Sequence, residues 1–190
     1  MLIVGLTGGL ACGKSFVAAE LRQLGCVVVE ADELGHAVLQ PGGEAYEAVL
    51  RQFGTVDRPA LASIVFGNPD KLAQLNALVH PAVQRRAKAE FARQDSHAIV
   101  VYVAAILIES GGLRDMDKLI VVTCSREQQI ARALERPHAT LADVLARLDR
   151  QLPVQKKLEY ADYTIDTGGT KEETRSQTKM VFEDLRRLAS

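Results

Sequence analysis

Residues 8–15 of the chain read GGLACGKS and match the pattern GxxxxGK[ST]. The apolar run LIVGLT at residues 2–7 precedes them, which predicts a buried strand. Hydrophobic residues then recur at the spacing of a helix, at Phe16, Val17, Leu21 and Leu24. A strand, a glycine-rich loop and a helix in this order are the context in which the pattern binds nucleotide phosphates. The stretch therefore predicts a phosphate-binding loop within an α/β fold.

The residue types of this loop suit phosphate chemistry. Glycines let backbone N–H groups turn around phosphate oxygens, and the helix that follows directs the positive end of its dipole at them. We expect the Lys14 ammonium to reach the β- and γ-phosphates and the Ser15 hydroxyl to ligate Mg²⁺. Cys12 lies beside a lysine and a helix N-terminus, conditions that favour a reactive thiolate. Its alkylation or oxidation is expected to block nucleotide binding, unless the residue contributes only its backbone.

The rest of the chain alternates between strand and helix signals. Further strands are predicted at residues 26–29, 99–108, 119–123 and 163–166, and helices at 127–135 and in the C-terminal stretch that carries Val181, Leu185 and Leu188. Gly25 is expected to end the first helix as a C-cap residue does. Such alternation favours a mostly parallel sheet covered by helices on both faces. The prediction is a single α/β domain over residues 1–190.

Between residues 38 and 96 the strand signal gives way to helical patterns, at 46–53 and 71–79, which predicts a helical insertion. Proline disfavours the helical region for the residue before it. A boundary or kink is therefore expected at His80 and Pro81.

A second interruption follows the predicted helix at 127–135. Pro137 stops that helix, and Thr140 is expected to cap the next one. Asp143 would complete an approximate capping box.

Composition and charge disfavour several classes of function. The net charge is −1, so no overall field recruits nucleic acid or an anionic membrane. The longest apolar run, residues 98–108, is shorter than the roughly 18 residues that span a bilayer. The N-terminus lacks the basic region of a targeting peptide, so a cytoplasmic protein is expected. The cysteines lack metal-ligand spacing and argue against disulfides and zinc, and Cys26 and Cys124 are interpreted as small core residues.

Asp32 follows the second predicted strand and has three interpretations. With Glu33, Leu34 and Gly35 it spells the DxxG pattern of GTPases. This pattern begins only 18 residues beyond Lys14, and the chain has no NKxD tetrapeptide to select guanine, so a GTPase switch is disfavoured. Asp32 can also cap a helix, or it can orient or deprotonate an acceptor hydroxyl.

A small-molecule kinase needs an acceptor pocket, a carboxylate and cations that neutralise the transferring phosphoryl group. The insertion offers the pocket and Asp32 the carboxylate. Four arginines flank the Pro137 interruption: Arg132, Arg136, Arg147 and Arg150. Because ligands of open α/β sheets gather at the carboxyl ends of strands, we expect Asp32 and the GGLACGKS loop at one edge of the sheet. These features favour a kinase.

The string VGLTGGLACGKSFVAAELRQLGCVVVEADELGH at residues 4–36 resembles the start of dephospho-CoA kinases. Further similar stretches are DRPALASIVF, LNALVHPAV, ILIESGG, IARALER, RLDRQ and KKLEYADYTID. The resemblance implies ATP- and Mg²⁺-dependent phosphorylation of the ribose 3′-hydroxyl of dephospho-CoA, which gives CoA and ADP in the last step of CoA biosynthesis. It also implies a P-loop kinase fold with a five-stranded parallel sheet, whose third strand lies between the first and the second.

The resemblance assigns roles to matching positions. ATP would be bound by Gly9, Ala11, Cys12, Gly13, Lys14, Ser15, Phe16 and Arg136. Asp32 matches the acidic residue that acts on the 3′-hydroxyl, Arg136 a lid arginine on the ATP phosphates, and His80 a motif of the CoA-binding region. Residues 38–96 would form the CoA-binding insertion and residues 136–157 the lid. The partners implied are ATP and dephospho-CoA, with a monomer favoured.

Several positions depart from the family pattern. Phe16 stands where threonine is usual, Val103 where aspartate is frequent, and Pro137 where an acidic residue is usual, while AAILIES replaces a PLLFE-type string. Metal ligation from the third strand and the lid geometry are therefore open. The alternatives are another small-molecule P-loop kinase and a nucleotide-binding module without catalysis.

Overall fold

The structure, a computed structural model, describes residues 1–189. Its strands are β1 (Leu2–Gly8), β2 (Val27–Glu30), β3 (Ile99–Val103), β4 (Lys118–Thr123) and β5 (Tyr163–Asp166). Its α-helices are α1 (Lys14–Gln23), α2 (Ala31–Ala37), α3 (Tyr46–Phe53), α4 (Arg58–Val65), α5 (Pro69–Phe91), α6 (Arg126–Leu134), α7 (Leu141–Asp149), α8 (Val154–Leu158) and α9 (Lys171–Ala189). Gly112–Asp115 forms a short 3-10 helix. The chain divides into two compact units, residues 30–93 and the remainder.

The five strands form one sheet in the order β2-β3-β1-β4-β5, which confirms the expected P-loop kinase sheet. β1 pairs in parallel with β3 on one side and β4 on the other, and β4 pairs in parallel with β5. The unit that contains this sheet has a core of fully buried residues from the central strands and the flanking helices. Among them are Val4, Leu6, Val17, Leu21, Val101, Ile120, Val122 and Leu185. The central position of β1 places residues 8–15 at the carboxyl edge of the sheet.

The predicted strand at 99–108 was too long, because β3 ends at Val103. The Ala104 N–H donates to the Leu6 carbonyl in the last ladder bond, and turns follow. Beyond the strand, Leu107 is buried and packs on Gly5 of β1. It lies so close that a Cβ added at Gly5 would be 2.5 Å from its Cδ2. After Val103 the apolar residues up to residue 108 are buried only at Ala104 and Leu107, and none of them is in a strand.

The unit formed by residues 30–93 contains α2 to α5 around its own small core. That core is built from Val38, Leu39, Ala45, Val49, Leu61 and Ala82. The unit begins at Glu30, before the predicted insertion start at Val38. The helix predicted at 46–53 is α3.

The sequence predicted a boundary or a kink at His80 and Pro81. The boundary is absent, because α5 continues through Pro81 to Phe91. The missing proline N–H removes one backbone bond. Buried residues beyond it, Ala82, Ala87 and Phe91, retain the packing of the helix. The start of α5 is fixed by Asn68, whose side chain accepts a hydrogen bond from the Lys71 N–H.

Two further predictions of helix ends are confirmed, at Gly25 and Thr140, and the capping box predicted at Asp143 is wrong. Gly25 follows α1 at φ 103°, a left-handed conformation that suits glycine after a helix. Thr140 caps α7 by accepting from the Asp143 N–H at 3.2 Å. Asp143 does not complete the box, since its carboxylate accepts from the Thr140 hydroxyl at 2.7 Å. A complete box occurs instead at Ser125 and Gln128 of α6.

Candidate active site

Residues 8–15, called the phosphate loop below, connect β1 to α1. Gly13 precedes α1 at φ 79°, and a Cβ there would lie 3.2 Å from the Thr167 hydroxyl oxygen. Both the left-handed backbone and the close neighbour favour glycine at this position. Ala11 has φ 55°, which is uncommon for a residue with a side chain. The loop is thus held in a tightly turned conformation, with the Cys12 N–H donating to the Gly9 carbonyl at 3.3 Å.

The phosphate loop packs closely on α6. A Cβ at Gly9 would lie only 2.7 Å from Nε2 of Gln129, so that side chain fills the space in front of Gly9. Gln129 is buried, and the same Nε2 donates to the Cys12 Sγ at 2.9 Å. A single polar side chain from α6 therefore contacts the loop at two positions.

The charges around the phosphate loop suit an anion. Lys14 Nζ donates to the carbonyls of Gly8 and Gly9, at 3.1 Å and 2.8 Å. The first turn of α1 carries no acidic side chain, so the positive end of the helix dipole is not opposed there. Ser15 is exposed at this helix end, and its hydroxyl is the kind of oxygen ligand that Mg²⁺ accepts together with phosphate oxygens.

Thr167, just after β5, supports the phosphate loop and was not found from the sequence. Its hydroxyl lies 2.9 Å from the Cys12 carbonyl oxygen and 3.1 Å from that of Thr123. Arg132 of α6 donates to the Thr167 hydroxyl at 3.1 Å and to its carbonyl at 2.7 Å. Arg132, one of the four arginines that flank the Pro137 interruption, is thus bonded to the segment behind the loop.

Arg136 shares a cavity with the phosphate loop. This cavity of about 290 Å³ is lined by Leu10, Arg136 and Arg147, among other residues around α7. The structure therefore brings two of the four predicted arginines together with a loop residue. His138, in the turn between α6 and α7, has φ 61°.

Gln151 is a second contact that the sequence did not reveal. Its Oε1 accepts from the Leu10 N–H at 2.9 Å. The residue follows α7 and lines, with Gly9, Cys124 and others, a cavity of about 160 Å³. A side chain of the predicted lid region therefore binds the backbone of the phosphate loop.

Asp32 and His80 both belong to the unit formed by residues 30–93. Asp32 is exposed in the first turn of α2, whose N-cap residue is Glu30, so the interpretation of Asp32 as a cap was wrong. His80 lies within α5 and is half-buried, and this burial lowers the pKa of its imidazole.

Phe16 contacts α9 through its side chain and the phosphate loop through its backbone. The Arg175 guanidinium of α9 lies 5.4 Å from the centre of its ring, a cation–π contact. The Phe16 N–H donates to the Gly13 carbonyl at 3.0 Å, inside the first turn of α1.

The three thiols differ in accessibility. Cys12 is fully buried, so a reagent reaches its sulfur only when the loop opens. Cys26 is buried as expected, and burial raises the pKa of its thiol to about 11. Cys124 is partly exposed, and burial together with the neighbouring Cys12 thiol raises its pKa as well.

Residues 1–189 contain no group of three or more His, Cys, Asp or Glu side chains arranged to hold a metal ion. Within the same residues, no helix has the length and hydrophobicity needed to cross a membrane.

The model of the dephospho-CoA kinase family matches residues 2–173 of this chain. The chain belongs to the dephospho-CoA kinase family. It is 40% identical to the dephospho-CoA kinase of Geobacter metallireducens, over 97% of this chain and 96% of that protein. Identity to the dephospho-CoA kinase of Geobacillus kaustophilus is also 40%, over 96% of each chain. As a member of this family, the protein is a kinase, a phosphotransferase of CoA biosynthesis.

Solved structures agree with this assignment. TT1252 from Thermus thermophilus superposes with a TM-score of 0.84 at 30% identity, covering 97% of each chain. Dephospho-CoA kinase from Campylobacter jejuni gives a TM-score of 0.72 at 24% identity, covering 99% of this chain and 98% of that one, and so shares the fold. The phosphate loop, the sheet order and the family match therefore all indicate a P-loop kinase.

Proposed function

We propose that the protein transfers the γ-phosphoryl group of ATP to the ribose 3′-hydroxyl of dephospho-CoA, giving CoA and ADP. The phosphate loop carries this proposal, with Lys14 at its carbonyls and a helix N-terminus that bears no acidic side chain. The family membership supplies the acceptor. A GTPase switch stays disfavoured, because no guanine-binding tetrapeptide occurs in the chain.

The residues of the phosphate loop and the lid would bind ATP. Backbone N–H groups of the loop would bind phosphate oxygens, and Lys14 would leave the carbonyls of Gly8 and Gly9 for the β- and γ-phosphates. Ser15 would hold Mg²⁺, which supplies charge neutralisation on the phosphates when bound. Arg136 would stabilise charge on the transferring group, an interaction supported by its place on the cavity that Leu10 also lines. The remaining ATP contacts carried by the resemblance are Gly9, Ala11, Cys12, Gly13 and Phe16.

Asp32 would orient or deprotonate the acceptor hydroxyl, and His80 would contact the acceptor. Asp32 is exposed, as a group that meets a substrate must be. For His80 the lowered pKa favours a neutral imidazole at pH 7, which donates a hydrogen bond from one nitrogen and accepts one at the other. Residues 38–96 would bind the CoA moiety and residues 136–157 would act as the lid.

ADP release tests this function against its two alternatives. Purified protein is assayed with ATP and Mg²⁺ in the presence of dephospho-CoA, AMP, shikimate or no acceptor. Turnover is expected with dephospho-CoA and is expected to stop when EDTA removes the metal. Turnover with AMP or shikimate alone would identify another small-molecule kinase. ATP binding without acceptor-dependent turnover would identify a nucleotide-binding module.

We further propose a cytoplasmic monomer. The near-zero net charge and the lack of a membrane-spanning helix in residues 1–189 fit this location. Light scattering behind a sizing column tests the oligomeric state, and a mass near 20.7 kDa is expected.

A further inference from the structure

An ion pair between a buried lysine and a partly exposed glutamate joins the segment after α7 to the carboxyl edge of the sheet. Lys157 of α8 is fully buried, and its Nζ lies 2.9 Å from Oε1 of Glu109 and 2.6 Å from the Ala105 carbonyl oxygen. Both partners belong to the turns that follow β3. Charged side chains are almost never fully buried unless they are paired, so the position of Lys157 depends on these two oxygens.

The same carboxylate oxygen also holds the backbone beside Gln151. Glu109 Oε1 accepts from the Leu152 N–H at 2.8 Å. The peptide plane of this N–H contains the carbonyl carbon of Gln151, so fixing the N–H restricts where the Gln151 backbone lies. From there the Gln151 side chain reaches the phosphate loop, where Oε1 accepts from the Leu10 N–H at 2.9 Å. A continuous chain of contacts thus runs from Lys157 to the loop.

A second path connects the pair to the strand that ends in the phosphate loop. The Ala105 carbonyl, which accepts from Lys157, also lies 3.3 Å from the Thr7 hydroxyl. Thr7 is the residue before Gly8 in β1. Lys157 is therefore connected to the phosphate loop in two ways. The Ala105 carbonyl links it to Thr7, and the Glu109 carboxylate links it to the backbone beside Gln151.

We propose that Lys157 is a positioning residue for nucleotide binding, which acts through Glu109 and Leu152 to hold Gln151 against the Leu10 N–H. Stability alone is a weak reason to bury the Lys157 ammonium, because the cost of removing it from water offsets much of its attraction to Glu109. The proposal rests on the proposed use of ATP. It adds that the first half of the loop is preset by a residue that does not contact the nucleotide.

Steady-state kinetics and ATP binding by titration calorimetry test this role. The K157M/E109L variant replaces both charges together, and Q151L removes only the contact with the loop. Each is expected to raise the KM and Kd for ATP about tenfold, the upper range for one lost hydrogen bond, with the KM for dephospho-CoA within about twofold. In the triple variant K157M/E109L/Q151L, the Kd for ATP is expected to be no more than about twofold higher than in either parent variant. The reason is that both changes interrupt the same chain of contacts.

Lys156 provides the matched control. It is the neighbouring lysine of α8, exposed and paired with Glu159 at the surface. K156M is expected to bind ATP as the wild type does.

A purely structural role gives a different result. It would lower Tm and the active fraction, hence the apparent kcat, while the KM for ATP stays unchanged. An unchanged affinity for ATP in folded K157M/E109L overturns the proposal. If that variant fails to fold, Q151L decides, because it leaves the pair of Lys157 and Glu109 intact. If the wild type shows no turnover with dephospho-CoA, the proposed function fails, and the calorimetric Kd still tests the positioning role.

Discussion

The Thr167 hydroxyl oxygen lies 2.9 Å from the carbonyl oxygen of Cys12. The two residues are 155 positions apart in the chain, and this contact joins the segment after β5 to the phosphate loop. Arg132 holds the threonine from the other side. The shape of the loop therefore depends on residues far from the GGLACGKS motif.

Thr167→Val removes the hydroxyl and keeps the shape of the side chain. The Cys12 carbonyl and the Arg132 guanidinium each lose a partner, which is expected to lower the free energy of unfolding by about 1 to 3 kcal/mol. The Kd for ATP is expected to rise severalfold, as measured by calorimetry. Thr167→Ser is the control and should behave as the wild type. Equal ATP affinity in the valine variant would remove Thr167 from the support of the loop.

Asp32→Asn keeps the size of the side chain and removes its charge. Loss of an acid/base group typically costs about 10² to 10⁴ in rate, so kcat is expected to fall within that range while the Kd for ATP stays near the wild-type value. Because transfer passes through a loose transition state, the effect of positioning can exceed that of proton abstraction. Near-normal turnover would exclude Asp32 from the mechanism.

Iodoacetamide labelling tests the thiol in the phosphate loop. Cys12 is fully buried, so its alkylation in the native protein is expected to be slow, and bound ATP should slow it further. Once alkylated, the protein is expected to lose ATP binding, because the added group must displace Gln129 from the sulfur. Mass spectrometry locates the label. The Cys12→Ser variant is labelled in parallel, and any change in its ATP binding comes from the other two thiols, Cys26 and Cys124. Unchanged ATP affinity and turnover after full labelling of Cys12 would contradict this prediction.

The buried Cys26 thiol is expected to make the free energy of unfolding decrease at high pH. Burial raises the pKa of its thiol from 9.0 to about 11, so the folded state retains a proton that the unfolded state loses between these values. Its contribution is complete below pH 9 and is lost as the pH rises towards 11. A rise of this size in the pKa of the thiol corresponds to about 2 to 3 kcal/mol of free energy of unfolding. Urea unfolding at pH 8 and pH 10.5 should show a smaller decrease for Cys26→Ala than for the wild type. Equal decreases would contradict the assignment.

Local signals predicted much of the fold. The helix at Tyr46–Phe53 and the strand at Tyr163–Asp166 have the predicted bounds. Both elements are determined by residues close together in the sequence, so a local pattern is enough to predict them. The end of β3 was missed because Leu107 is buried whether or not it is in a strand. The end of α5 was missed because packing beyond Pro81 outweighs one lost backbone bond.

The candidate site was also predictable only where its residues are close together in the sequence. The phosphate loop was recognisable because its residues are contiguous. Gln129 and Thr167 were not recognised, because their contacts with Cys12 join positions 117 and 155 residues apart. Nothing in the local sequence distinguishes such a glutamine from any other polar residue on a helix.

The amide of Gln129 occupies the space in which Gly9 would carry a side chain. A side chain at position 9 therefore requires the Gln129 amide to turn away, and this movement breaks its hydrogen bond with the Cys12 Sγ. A glycine in the loop thus keeps open the place of a side chain that lies more than a hundred residues later in the chain.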